Sequence, residues 1–243
     1  TYTKKVENGD IYKDLGLGSK IEKKDVKVYV DGLADASQAP VAITKGDDTN
    51  KYGANGVLTE VFYDDDADTV TITEVNTYVG TIAKSVKATD KKDAYVVVTP
   101  EQPISGKAPI SSNEEFETDE KFEDDAYVLY TFSKDANEIK SVEAAKVITG
   151  TVTRAENDKE NTADSKALTI DGTRYKDSKN VAGDKLSDVS VKNDYTIYLD
   201  SYGYMIFVEE KEEIGDYALV LQTASKSDFV GKKAELLFAD GTT

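Results

Sequence analysis

"VLTEVFYDDDADTVTITEV", residues 57–75, decides the fold class. Its two flanking runs, 57–63 and 69–75, are rich in Val, Thr, Ile and aromatic residues and enclose an acidic turn cluster. β-Branched and aromatic side chains fit a pleated, half-buried surface, and Asp supplies local turn hydrogen bonds, so the stretch reads as a β-hairpin. The same pattern returns at Tyr127–Val142 around "KDAN" and at Tyr195–Val208 around "DSYG". Further strand-like runs stand at 26–30, 94–99 and 217–223. Helical periodicity is weak, with room for a turn or two only at 119–126 and 225–234. The chain is therefore expected to be all-β: tandem small β-sandwich or barrel-like modules built from hairpins, with little helix.

Two sets of internal echoes bear on how many modules there are. "YKD" occurs at 12–14 and 175–177, "DVKVYVD" at 25–31 is matched by "DYTIYLD" at 194–200, and "TEVFYDD" at 59–65 by "AELLFAD" at 234–240. These three matches are collinear, and they predict about one and a half copies of a unit roughly 170 residues long. A second, shorter echo aligns Asp66-Ala67-Asp68 and Val70 with Asp135-Ala136-Asn137 and Ile139. Each of those hairpins is followed by a small-residue strand, "YVGTI" at 78–82 and "ITGTV" at 148–152.

Three of the four prolines lie in "PEQPISGKAP", ahead of the acidic run 111–125. Proline removes backbone donors and favours extended chain, so a strand is expected to break here. The expected organisation is a β-domain over 1–102, a Pro-containing and acidic linker over 103–125, and a second β-domain over 126–243 whose last residues begin a further repeat.

Composition excludes several function classes. With 47 acidic against 30 basic residues and a net charge of −17, the chain is repelled by phosphate backbones and anionic lipid, so neither nucleic-acid binding nor membrane insertion is expected. Histidine and cysteine are both absent, which removes imidazole proton shuttles, thiolate nucleophiles, disulfides and the usual zinc ligands. No phosphate-cradling glycine motif is present. The expectation is no enzyme, no catalytic or cofactor-binding residues and no cofactor. Asp64, Asp66 and Asp68 have the alternate spacing of a calcium loop, but Thr69 stands where such a loop needs Gly and Val75 where it needs Glu. They remain weak calcium candidates on a charged hairpin tip. Tyr29, Tyr95, Tyr127, Tyr198 and Tyr217 lie inside apolar strands, where ordinary sheet packing accounts for them; a carbohydrate site would need exposed tyrosines and two facing carboxylates.

At "TIYLDSYGYMIFVEE", "GDYALVLQTAS" and "AELLFADGTT" the sequence resembles the β-rich repeat regions of Gram-positive bacterial cell-surface proteins that carry S-layer homology domains elsewhere. The resemblance is best over 165–243. It implies export to the cell surface and a structural or adhesive role, with other cell-surface or cell-wall components, or further copies of itself, as partners. The abrupt ends suggest a fragment of a longer chain. The alternative function is a carbohydrate-binding or carboxylate-dependent carbohydrate-active module.

Overall fold

The computed structural model describes residues 1–34, 40–104, 113–156, 166–183, 189–211, 218–224 and 233–238. The opening hairpin is present as β5 (Val57–Asp64) and β6 (Thr69–Val86), paired antiparallel from Val57↔Asn76 to Asp64↔Thr69. β6 runs for 18 residues, about 60 Å at strand rise, and serves two sheets. Its first half is flanked by β5 and, in parallel, by β2 (Val26–Val30). A short helix α1 (Asn8–Asp14) packs Ile11 on this half together with Ile21, Ile43, Val70 and Ile72. The small strands β1 (Val6–Glu7), β3 (Leu33–Ala34) and β4 (Lys51–Tyr52) complete this N-terminal part.

The second half of β6 begins a five-stranded sheet with β7 (Tyr95–Pro100), β8 (Glu114–Glu117), β9 (Tyr127–Ser133) and β10 (Glu138–Ala144). β6 pairs with both β7 and β9, β7 with β8, and β9 with β10. β8 and β10 approach without a ladder, and the curled sheet encloses Ile82, Val96, Val98, Val128, Tyr130 and Phe132. The next five strands are β11 (Lys146–Glu156), β12 (Ala167–Ile170), β13 (Thr173–Gly183), β14 (Asp194–Leu199) and β15 (Met205–Glu210). They have the same connectivity, and a parallel β13–β15 ladder closes them into a barrel around Val152, Leu168, Ile170, Tyr195 and Ile197. β16 (Ala218–Ala224) and β17 (Lys233–Phe238) form a separate antiparallel pair. The chain divides into two compact units, Thr1–Glu210 and Lys211–Thr243.

Among the described residues the architecture is all-β with one α-helix, and all three expected hairpins form: β5–β6, β9–β10 and β14–β15. Two expectations are overturned. The boundary at 103–125 is not a linker, because β8 lies inside it and β9 beyond it pairs directly with β6 before it. The division of the chain falls after Glu210 instead. The long-period repeat also fails: Tyr12, Lys13 and Asp14 are helical whereas Tyr175, Lys176 and Asp177 are in a strand, and β2 pairs parallel to β6 whereas β14 is antiparallel to both neighbours. Short strand-like strings such as these recur because strand composition is restricted, not because the strands are equivalent. The helical option at 119–126 is irregular chain, and most of 225–234 lies outside the described residues.

The shorter echo does coincide with structure. Asp68 and Asn137 each close a hairpin loop at positive φ, 52° and 57°. "YVGTI" and "ITGTV" lie in β6 and β11, the first strands of the two barrels. In both barrels the first strand carries a bulge against the second, with Ala83 and Thr153 as the extra residues, and the fifth strand carries one against the fourth, with Lys140 and Ile206 extra. Bulges re-aim a strand at a barrel rim, so their coincidence marks like geometry at a spacing of about 70 residues.

Candidate functional site: the joints between modules

Most of the buried polar residues gather where the N-terminal part and the two barrels meet. Asp31 and Gly32 form the two-residue turn between β2 and β3, both at positive φ, a conformation that Asp-Gly tolerates and most pairs do not. This turn aims the Asp31 carboxylate at the middle of β6. There it accepts hydrogen bonds from the Asn76 backbone N–H (2.8 Å), the Asn76 side-chain amide (3.1 Å) and Tyr78 OH (2.7 Å). Lys134, at the tip of the β9–β10 hairpin, completes the set with Nζ at 2.9 Å from Oδ2, and its backbone N–H donates to Asp31 O. The carboxylate is fully buried. Burial, then the charge and hydrogen bond of Asp31, push the Tyr78 hydroxyl far above its ordinary pKa, so it is a permanent donor.

One strand pitch away, Glu74 is buried with Oε1 accepting from Gly53 N at 2.7 Å and Oε2 3.9 Å from Lys179 Nζ. Lys179 belongs to β13, where the ladder with β15 is interrupted between Asp177 and Ala182. The freed stretch turns its backbone outward: Lys179 N donates to Asn55 O, Asn55 Nδ2 to Asp177 O, and Gln102 Nε2 to Asn180 O. Asn180 Nδ2 donates to Asn76 Oδ1 and to Thr77 O. Asn76 thus bonds at once to Asp31 and to the second barrel.

Beside this polar hub lies an apolar contact between the barrels. Val79 and Leu129 of the first meet Ile206 and Phe207 of the second, with Tyr127 and Tyr198 partly buried at the margin. The Tyr127 and Phe207 ring centroids are 4.4 Å apart, and those of Tyr127 and Tyr198 are 4.6 Å apart. Both tyrosine hydroxyls donate to Glu209, and burial followed by the Glu209 and Glu101 charges pushes Tyr127 up to about 12. β6 is buried on both faces from Asn76 to Gly80 because these contacts cover its outward side.

Asp200, in the β14–β15 turn, is a buried carboxylate whose two oxygens are unequally satisfied. Its Oδ1 accepts from Tyr202 N and Tyr204 N, but among the described residues the buried Oδ2 finds no well-formed donor, because Ser178 Oγ beside it is directed at Asn55 O. Desolvation raises its pKa above the ordinary value of an Asp carboxyl.

The weak calcium candidates are not brought together as a ligand set. Asp64 Oδ1 accepts from Ala67 N, Asp68 Oδ1 accepts from Tyr63 OH, and Asp66 is exposed. Among the described residues no three carboxylates are grouped to hold a metal. A cleft of about 400 Å³ lies between α1 and the turn 45–48, but its central Asp47 is consumed as a turn staple, accepting from Asn50, Thr49 and Asn8. Those bonds hold its carboxyl below the usual range. Tyr29, Tyr95, Tyr127 and Tyr198 are partly buried in strands; Tyr217 lies outside the described residues. No helix among the described residues is long and apolar enough to cross a membrane. Comparison with protein-family models, with curated proteins and with solved structures returned no match.

Asp31, Asn76, Lys134 and Asn180 escaped the sequence reading. The available signal was "VDGL" at 30–33, a two-residue hairpin turn whose Asp follows a buried strand.

Proposed function

We propose that the chain is a non-catalytic structural or adhesive module of a bacterial cell-surface protein, which spaces or presents other domains at a fixed geometry. The observation that carries this reading is the buried joint. β6 passes without a linker from the N-terminal part into the first barrel, and the second barrel is bound to the middle of that strand by Asn180, Lys179 and the Phe207 cluster. Such a body resists bending, and its acidic exterior keeps it soluble at high local density. Extracellular location and cell-wall or self partners follow from the resemblance of 165–243 to surface-protein repeats. The absence of His and Cys supports a role without covalent or proton-transfer chemistry.

Because cysteine is absent, the stiffness is directly testable with spin labels at Lys84→Cys in the first barrel and Thr153→Cys in the second, both exposed. A single narrow distance distribution is expected, and a broad one refutes a rigid spacer. The carbohydrate alternative draws support from Tyr127 and Tyr198 beside Glu209 and Glu101. Against it, these rings spend part of their faces on each other and on buried Phe207. Binding on a glycan array that is lost in Tyr198→Ala would favour it.

A further inference from the structure

The isolated pair β16–β17 repeats the geometry with which each barrel begins. In the first barrel Ile82 pairs with Val98, one extra residue follows, and Lys84 pairs with Val97. In the second, Val152 pairs with Ile170 and Arg154 with Thr169. In β16–β17, Val220 pairs with Leu236 and Gln222 with Glu235. The extra residues, Ala83, Thr153 and Leu221, recur at about the same 70-residue interval, each directly after an apolar cross-strand pair.

The environments of the equivalent positions differ. Ile82 and Val152 are both 0% exposed, whereas Val220 is 54% exposed, with Leu219 and Leu221 exposed beside it. In the two barrels this position is covered by the third, fourth and fifth strands; around Val152 the cover includes Tyr195, Ile197, Met205 and Val208. We infer that the β16–β17 hairpin is the opening of a further barrel, and that its Val220 face is a docking surface for a β-segment supplying strands three to five, of the kind formed by residues 171–210. An apolar residue left this exposed at the position that is buried in both barrels suits such an occupant, since a two-stranded hairpin is marginal in water and gains stability from a covered face. The inference depends on register and burial and stands apart from the question of export.

The test uses the whole 243-residue protein and a peptide of residues 171–210 as probe. Amide hydrogen exchange of 218–224 and 233–238 is expected to slow at least about tenfold with peptide near 1 mM, and the slowing is expected to vanish in Val220→Asp. Exchange in 146–156 should stay constant, which separates docking from invasion of the second barrel. No slowing, or equal slowing in Val220→Asp, overturns the inference. Concentration-dependent self-association without peptide, abolished by Val220→Asp, would place a second copy on this face and overturn the assigned occupant.

Discussion

Replacing Asp31 by Asn preserves side-chain volume and keeps a residue that accepts the φ of 51° found there, while deleting one charge from the hub. In the native protein the two carboxylate oxygens face the Asn76 amides, Tyr78 OH and Lys134 Nζ, all of them donors. An amide offers only one acceptor oxygen, so its NH2 must confront another donor. Removing one partner of a buried charge pair costs about 3–5 kcal/mol. Lys134 retains 18% side-chain exposure, so water recovers part of that loss, and a cost near the lower bound, about 3 kcal/mol, is expected. For a cooperative body of the size of Thr1–Glu210 this lowers Tm by about 6–12 °C. Calorimetry of the native chain, Asp31→Asn, Lys134→Met and the double variant at one pH and salt concentration measures both the loss and the coupling. Because Met removes the ammonium that Asp31→Asn strands, the double variant should lose at least about 1 kcal/mol less than the sum of the singles. Additive losses, or a change of less than about 1 kcal/mol in Asp31→Asn, would refute the hub as an energetic unit.

Three further outcomes are expected. Phe207→Ala should cost about 3–5 kcal/mol by emptying the contact between the barrels, and should broaden the Lys84–Thr153 label distance, which a core mutation inside one barrel would leave narrow. Gly80→Ala should destabilise by about 1–3 kcal/mol, because its Cβ would stand 2.6 Å from Thr99 O and 2.8 Å from Val98 Cγ1; the equivalent Gly150→Ala meets Asp171 and Ile170 and should cost a similar amount in urea melts. Asp200→Asn should stabilise by about 1–2 kcal/mol at pH 7, since its amide can keep the Tyr202 and Tyr204 bonds. The raised folded-state pKa of Asp200 means that its ionisation opposes folding above that value and ceases to do so as pH falls through it, so the advantage of the variant should shrink toward pH 4; a pH-independent difference would show that desolvation of Asp200 is not its source.

How much of this was legible follows from which signals are local. The hairpins 58–75, 127–142 and 195–208 were readable because strand alternation and turn residues act within a few positions. The Asp66–Asp68 and Asp135–Asn137 echo was informative for the same reason: Asp68 and Asn137 need the left-handed region, a constraint on residue type that short apolar strings lack. α1 was missed because only Ile11 of its seven residues is a buried apolar side chain, too few to set a helical period. The linker expected at 103–125 failed because pairing of β9 with β6 is a long-range event with no local signature. The hub was hidden for a similar reason: among so many carboxylates, only topology singles out Asp31 and Glu74 for burial.

The two kinds of joint contact do different physical work, and a spacing role needs both. Apolar contact among Val79, Leu129, Ile206 and Phe207 supplies association energy but is nearly indifferent to small rotations, since dispersion and burial are non-directional. The bonds of Asn180 to Asn76 and Thr77, and of Lys134 to Asp31, are directional, and a rotation that breaks them strands groups that water reaches only in part. If bending uncovers a buried charge at the cost that applies to Asp31, about 3–5 kcal/mol, bent forms amount to less than about one molecule in a hundred, at a factor of ten per 1.4 kcal/mol. A single label distance between the barrels is the consequence, and loss of either contact class should widen it by a different route: Phe207→Ala by weakening association, Asp31→Asn by loosening the angle while the barrels stay in contact.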